Sequence, residues 1–364
     1  MNSLGFKKKE KDTKVVVAMS GGVDSSVAAA MLKKEGYNVI GITLKLYNQT
    51  NYKNSKSCCA GLDIEDARKV AKQYNFQHLT FDYQDKFFDG VINNFIESYG
   101  NGETPVPCIK CNQTVKFTDL LNEAKKMNAD ALVTGHYVIR ERNNEITKLY
   151  KGKDIKKDQS YFLFATLIEQ LDFLRFPLGK YLKSEIRKMA IDLDLLVSDK
   201  PDSQDICFVS SDSYRDLINK IQPSLNTEGN FTDLKGKILG KHKGITNYTI
   251  GQRKGIGIGG SEKPLYVLNI DKNSNTIILG TEKYLKKNKI KFNNINWLDN
   301  SINPKNLICN AKIRSTQKEA SGVLNIEKHE GTFVFDNYLS NTSPGQACVI
   351  YLENRVLGGG WITK

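Results

Sequence analysis

The stretch Val15-Val16-Val17-Ala18-Met19-Ser20-Gly21-Gly22-Val23-Asp24-Ser25-Ser26 constrains the fold more than any other part of the chain. Its first five residues are apolar and mostly β-branched, and read as a buried strand. Two glycines follow, which allow a tight turn with the backbone held close to a ligand. Ser25 or Ser26 is expected to cap a helix over Val27–Lys34, which Gly36 ends. A strand, a glycine turn and a helix N-terminus make an anion site, because free N–H groups converge there and the helix dipole favours negative charge. A phosphate suits it. A strand, turn and helix without such a task would need neither the adjacent glycines nor Asp24.

The loop lacks the Gly-Lys-Ser/Thr ending of a Walker loop and the Gly-x-Gly-x-x-Gly of dinucleotide folds. Ser20-Gly-Gly-Val-Asp-Ser-Ser26 instead resembles the pyrophosphate loop of the N-type ATP pyrophosphatases. Those enzymes split ATP between the α and β phosphates and leave AMP on an oxygen of the substrate.

At 364 residues the chain exceeds one ordinary core, and two or three domains are expected. No stretch reaches the ~18 apolar residues of a membrane span. Residues 1–14 are lysine-rich without an apolar core, unlike a secretory signal. A cytoplasmic protein with no membrane partner is expected. The formal net charge of +13 suits a polyanion such as nucleic acid. A lysine- and asparagine-rich coding bias would give the same total. The lysines cluster, however, over 7–14, 151–157, 235–243 and 283–291.

Beyond the loop, strands (38–46, 78–83, 131–134) alternate with helices (62–74, 84–99, 112–127). That order implies an α/β fold with a doubly wound parallel sheet. Ligands lie at the carboxyl ends of such strands, where Met19-Ser20 and Gly135-His136 both fall. Further helices are expected over 161–174, 182–195 and 213–221, and a linker over 223–230. After Gly236 helical periodicity fades. A hairpin is expected around 272–275, then short strands of a small antiparallel β-barrel. The domain reading is a disordered basic tail (1–13), a nucleotide domain (14–212), a small central domain (213–282) and the barrel (283–364).

Thr104-Pro-Val-Pro-Cys108-Ile-Lys-Cys111-Asn112 is the second informative stretch. Its prolines hold the chain extended. Two cysteines at CxxC spacing then precede a helix expected to start near Asn112, where a thiol's pKa would be lowered. Half of a zinc site and plain packing cysteines are the alternatives. Cys58-Cys59, being adjacent, are poor partners on one ion. The third stretch, Asp202-Ser-Gln-Asp-Ile-Cys207-Phe208, is informative only in combination. Seven cysteines, an odd number, argue against a secreted disulfide framework.

With these three stretches in this order, the chain resembles the bacterial tRNA-specific 2-thiouridylases. Thr134-Gly-His-Tyr137, Lys156-Lys-Asp-Gln-Ser-Tyr161, Tyr248-Thr-Ile-Gly-Gln-Arg-Lys-Gly255 and Ser343-Pro-Gly-Gln346 add to the resemblance, which runs from about residue 15 to the C-terminus. It implies an adenine-nucleotide α-hydrolase-like first domain and ATP-dependent 2-thiolation of the wobble uridine. ATP with Mg2+ is implied, as are substrate tRNAs for Lys, Glu and Gln and a sulfur-delivering protein or cysteine desulfurase.

The resemblance also implies roles by position. Ala18, Met19, Ser20, Gly21, Gly22, Val23, Asp24 and Ser25 hold the ATP phosphates, Asp24 serving magnesium or the loop's orientation. Leu44 and Gly135 line the nucleotide. Cys111 is the nucleophile and Cys207 the persulfide carrier, the two passing through a Cys111–Cys207 disulfide. Val106, Pro107, Cys108, His136, Lys157, Asp158, Gln159, Arg314, Ser315 and Gln346 contact tRNA. Two positions depart from the family pattern: Cys108 stands where an acidic residue is usual, and Ser315 follows Arg314 where tyrosine is usual. Cys108 is read as a spectator, with a backup resolving thiol and a third iron–sulfur ligand as alternatives. Two other function classes fit parts of the pattern. A small-molecule amidotransferase or synthetase would not need Cys111 with Cys207. A non-catalytic RNA-binding protein would tolerate loss of Asp24 and both cysteines.

Overall fold

The computed structural model of the protein describes residues 1–47, 61–143, 146–202, 206–209, 213–260, 262–340 and 342–363. In chain order its strands and α-helices are β1 (Lys14–Ala18), α1 (Val23–Lys34), β2 (Asn38–Lys45), α2 (Gly61–Gln73), β3 (Gln77–Asp82), α3 (Gln84–Phe87), α4 (Asn93–Gly100), α5 (Pro107–Cys111), α6 (Leu121–Lys126), β4 (Ala131–Val133), β5 (Val138–Asn143), β6 (Ile146–Lys151), α7 (Ile168–Phe173), β7 (Leu174–Arg175), α8 (Lys183–Asp192), α9 (Tyr214–Ile221), β8 (Gly229–Thr232), β9 (Ile238–His242), β10 (Tyr266–Asp271), β11 (Thr276–Gly280), β12 (Lys287–Trp297), β13 (Leu307–Lys312), β14 (Ala320–Glu327), β15 (Glu330–Leu339), β16 (Ala347–Leu352) and β17 (Arg355–Ile362). Two π-helical stretches, Phe88–Ile92 and Asn112–Leu120, follow α3 and α5. The residues group into two compact units. One holds Met1–Val91, Cys108–Ser211 and Asn354–Val356, the other Ile92–Pro107, Asp212–Glu353 and Leu357–Lys364.

The first unit is built on a parallel sheet of order β3-β2-β1-β4-β7. Val15, Val16 and Val17 occupy its middle strand and are wholly buried. A continuous β-branched run is what a strand covered on both faces requires. Val27 to Ala30 and Leu32 of α1, Val70 of α2 and Ile186 of α8 share its core. Strand order reverses at β1, with β2 on one side and β4 on the other, so the ends of β1 and β4 flank a crevice. The doubly wound reading therefore holds.

Residues 1–13 are ordered, contrary to the disordered tail expected from their lysines. Leu4 is buried in the same core, its N–H donates to the Tyr37 hydroxyl at 3.2 Å, and its carbonyl accepts from Arg175 Nε at 2.8 Å. The Arg175 guanidinium also lies 4.4 Å over the Phe6 ring. Two apolar anchors thus override the charge of their neighbours. The helix expected over 161–174 is cut to α7, because Leu174 and Arg175 pair with β4 as β7. The β5–β6 hairpin was not anticipated at all.

In the second unit, β10-β11-β8-β9 form a four-stranded sheet over Phe231, Val267, Ile270, Ile277 and Leu279. Strands β12-β15-β14-β13-β16-β17 form an antiparallel barrel, closed by pairing of β12 with β17. Ile290 and Phe292, Cys309 and Ala311, Phe333 and Phe335, and Cys348 and Ile350 fill its interior. Each pair is two residues apart on its strand, the period that points side chains to one face. Ile92–Pro107, expected in the nucleotide domain, groups with this unit. Tyr99 of α4 stacks on Tyr214 of α9, ring centroids 4.6 Å apart.

Leu4→Ala should cost about 2 kcal/mol of stability, at the low end for a buried leucine, read as a lower midpoint in urea denaturation. An unchanged midpoint would show that residues 1–13 do not belong to the core.

Candidate active site

The glycine turn follows β1 as the sequence implies, but α1 begins at Val23 rather than Val27, with Gly22 as its N-cap and no side chain capping it. Ser25 and Ser26 lie inside the first turn and donate their hydroxyls to the Gly22 carbonyl at 3.3 and 2.9 Å. Ser25 Oγ also accepts the Ser20 N–H at 3.1 Å. Gly21 has φ +71°, and a Cβ there would stand 2.1 Å from the Asp63 carbonyl oxygen, so no other residue fits. At Gly135 a Cβ would meet the Ser25 nitrogen at 3.0 Å, so the end of β4 presses against the start of α1.

Asp24 is held from two sides. Lys183 Nζ donates to its carboxylate oxygens at 2.7 and 2.8 Å, and the Tyr137 hydroxyl donates at 2.6 Å. The same ammonium lies 2.9 Å from Asp202, which also pairs with Lys157 at 2.7 Å and Arg187 at 2.6 Å. Lys200 Nζ donates to the Gly21 carbonyl at 3.0 Å and to Asp63 and Asp66. The acidic start of α2 thus holds a lysine as well as complementing its helix dipole. Lys183 and Lys200 escaped the sequence reading, since nothing local marks a lysine whose partners lie more than a hundred residues away, and Tyr137 was read only as part of a motif, without a role.

A cavity of about 200 Å³ opens beside this turn. Ala18, Met19, Ser20, Asp24 and Ser25 line it from the loop, Ile42, Leu44 and Leu46 from the end of β2, and Thr134, Gly135 and His136 from the end of β4. Lys116, Leu120 and Gln159 complete it. Ile42, Leu44, Leu46 and Leu120 make part of the lining apolar, and Ser20, Ser25, Thr134 and Lys116 bring hydroxyls and an ammonium to it. Gly21, Gly22 and Val23 build the turn. Gln159 Oε1 accepts the Tyr137 N–H at 2.9 Å, and His136 Nδ1 lies 2.7 Å from the Thr134 hydroxyl. His136 and Gln159, read as tRNA contacts, therefore line the same cavity as the glycine turn.

The cysteine helix also starts earlier than expected, at Pro107 rather than near Asn112. Cys111 is thus inside a continuous helical stretch, and the helix-terminus reason for a low thiol pKa does not apply. Burial pushes its pKa up, with the charge of Lys116 acting against that rise. Cys108 is exposed and Cys111 buried. Cys207 is half-buried in a short turn. The next residue, Phe208, is buried edge-on against Phe87, centroids 5.6 Å apart. Ser203 to Asp205 and Cys58-Cys59 lie outside the described residues. Asp158 folds its own loop, accepting from the Gly152 and Ser160 N–H groups and the Ser160 hydroxyl. Among the described residues, no group of three or more His, Cys, Asp or Glu is placed to hold a metal.

The remaining tRNA candidates sit in the second unit. Val106 and Pro107 end the segment whose Thr104 carbonyl accepts from Gln346 Nε2 at 2.8 Å and whose Thr104 N–H donates to Pro344 at 2.8 Å. Arg314 Nη2 donates to the Ser343 hydroxyl at 2.8 Å, and Ser315 is half-buried beside it in sequence. Two motifs read separately, Thr104–Pro107 and Ser343–Gln346, are thus bonded to each other.

Residues 13–211 match the family model of a tRNA methyl transferase HUP domain, 215–281 that of a tRNA methyl transferase PRC-barrel domain, and 287–362 that of an aminomethyltransferase beta-barrel domain. The chain is similar over nearly its whole length to proteins named tRNA-specific 2-thiouridylase MnmA. Identity is 49% to that of Ehrlichia ruminantium (strain Welgevonden), covering 96% of this chain and 95% of the relative. It is 50% to that of Rickettsia bellii (strain OSU 85-389), covering 98% and 97%. It is 46% to that of Paracoccus denitrificans (strain Pd 1222), covering 100% and 95%.

Burial first, and the Lys116 charge second, push the His136 pKa down to about 3. Burial and Arg68 push His78 down to about 4. Unfolded imidazoles take up protons near 6.5. The unfolded state therefore binds more protons just below that pH, and stability should fall as pH drops from about 6.5 toward those values. His136→Asn should flatten the slope by up to about 1.4 kcal/mol per pH unit, read by urea melts between about pH 4.5 and 6.5. An unchanged slope would mean that folded His136 protonates freely.

Proposed function

Because this chain belongs to the family of tRNA-specific 2-thiouridylases, we propose that it replaces O2 of the wobble uridine, position 34 of tRNA, with sulfur at the expense of ATP. The observation that carries this reading is one cavity shared by Ser20, Asp24 and Ser25 of the glycine turn and by Lys116 on the helical stretch that also carries Cys108 and Cys111. A uridine in an anticodon loop is single-stranded and can turn into such a pocket without breaking a duplex pair.

The C2 carbonyl of uracil is a poor electrophile with a poor leaving oxygen. O2 attacks the α phosphorus of ATP, the bond to pyrophosphate breaks, and the N3 proton is lost. AMP then becomes the leaving group. Cys207 brings sulfur as a persulfide, loaded by a sulfur-delivering protein or a cysteine desulfurase. In one route the terminal sulfur attacks C2 and expels AMP. Cys111 thiolate then attacks Cys207 Sγ and frees the thiocarbonyl. In the other route Cys111 attacks Cys207 Sγ first and releases hydrosulfide, which displaces AMP. Either way two thiols supply two electrons and end as a Cys111–Cys207 disulfide, which a dithiol must reduce before the next turnover.

Magnesium is assigned to the phosphates that enter with it, since Asp24 spends its carboxylate on Lys183 and Tyr137. The exposure of Cys108 supports its reading as a spectator. We assign tRNA contact to Lys157, Arg314 and the basic clusters, and tRNAs for Lys, Glu and Gln as substrates. No described helix is long and apolar enough to cross a membrane, and we place the enzyme in the cytoplasm.

Pyrophosphate should be released from ATP only when unmodified tRNA is present, and Asp24→Ala should lose that turnover while binding tRNA within a few-fold. Cys111→Ser and Cys207→Ser should each lose thiolation yet still release pyrophosphate. Full thiolation by Cys207→Ser, with a persulfide found on Cys111, would reverse the two roles. Log affinity for tRNA should fall linearly with log salt, by roughly 0.7 to 0.9 per phosphate contact. A flat dependence would make the +13 charge merely compositional.

A further inference from the structure

We propose that Lys116 is a catalytic residue of both half-reactions, its ammonium facing first the phosphoryl group under attack and then the Cys111 thiolate; the inference rests on the thiouridylase reading above. A Walker loop ends in a lysine that reaches the phosphates. Here Ser25-Ser26 stands at the end of the turn, so the loop itself brings no cation. The cavity wall supplies one from elsewhere. Among the described lining residues Lys116 is the sole lysine or arginine. His136, the other lining residue able to carry positive charge, stays neutral because its pKa lies near about 3.

Backbone winding sets the second half of the role. Lys116 sits in the π-helical stretch Asn112–Leu120, which continues directly from Cys111 at the end of α5. In a π-helix the bonded partners are five residues apart, so positions 111 and 116 lie about one turn apart. In an α-helix the same spacing would place them on different faces. Thr114 and Thr118 hydroxyls bond to the Lys110 and Gln113 carbonyls, both at 2.8 Å, and fasten the stretch. A π-turn at a functional site is a frequent use of this costly geometry.

The buried Cys111 thiol is pushed toward its neutral form, and Lys116 is the charge that opposes this. The ammonium exchanges no proton in either step. During adenylation O2 bonds to the α phosphorus, pyrophosphate leaves with the electron pair, and Lys116 offsets the negative charge that develops. After AMP has gone, the same charge faces the Cys111 thiolate, whose proton has passed to solvent, as it attacks Cys207 Sγ.

The test compares wild type with Lys116→Gln and Lys116→Arg, each first shown by thermal melting to be folded. Two readouts are taken. One is pyrophosphate release from ATP with unmodified tRNA. The other is the titration of Cys111, followed by NMR of 13Cβ-labelled cysteine with neither ATP nor tRNA present and assigned with Cys111→Ser. In Lys116→Gln, kcat for pyrophosphate release should fall about 100-fold with tRNA affinity unchanged. The Cys111 midpoint should rise by about one pH unit or more. Lys116→Arg should restore most of both. Wild-type behaviour of Lys116→Gln in either readout would overturn the dual role. Should wild type itself release no pyrophosphate with tRNA, the thiouridylase reading fails, while the titration still decides whether Lys116 acts on Cys111. If the Gln variant does not fold, the Arg variant decides. Near-normal turnover and midpoint support a charge role, and loss of both overturns it.

Discussion

The ammonium of Lys183, set between the carboxylates of Asp24 and Asp202, is the interaction on which the site depends. Its side chain is only 11% exposed, and a buried charge of that kind persists only where anions and hydrogen bonds compensate it. Asp24 lies on the first turn after the glycines. Asp202 lies just ahead of the chain that carries Cys207. One lysine therefore ties the glycine turn to the cysteine segment. Burial alone would raise the Asp202 pKa, but hydrogen bonds from Lys157 and Lys183 hold its carboxyl well below the usual carboxylate range. Lys200 secures the other end of the turn through the Gly21 carbonyl and two aspartates of α2.

That clamp works because the sheet has already brought its parts together. With β1 in the middle, strand order reverses beside it, and the ends of β1, β2 and β4 open into one crevice. The end of β2 supplies Ile42, Leu44 and Leu46, and the end of β4 supplies Thr134 to His136. Gly21 and Gly135 remove the two side chains that would hold the loop away from its supports. In the second unit a comparable economy joins Thr104 to Pro344 and Gln346 by two hydrogen bonds. Residues 104–106 are thereby fixed within the closed barrel's own unit before α5 begins at Pro107.

Much of this was legible along the chain. The three consecutive valines before two glycines, the alternation of strands and helices and the period-two runs after Ile290 are local signals, set by side-chain size and backbone freedom. They led to the parallel sheet, the glycine turn and the barrel. The misreadings have physical causes. Lysine density hid Leu4 and Phe6, which anchor the N-terminus. Serine capping preference placed the start of α1 four residues late, because glycine can cap with no side chain at all. A proline that opens a helix at its first position was read as holding the chain extended, so α5 was missed and Cys111 was credited with a terminus it does not have.

The sequence by itself determined which residues make the turn and that the sheet is parallel, because those depend on residues a few positions apart. Only the tertiary structure decided that Asp24 pairs with Lys183 and Tyr137, that His136 and Gln159 line the same cavity as the glycine turn, and that the Cys111 thiol is buried. The partners of Asp24 lie more than a hundred residues away along the chain. No local propensity encodes them, since a charge chooses its partner only after folding has removed the water that would otherwise satisfy it.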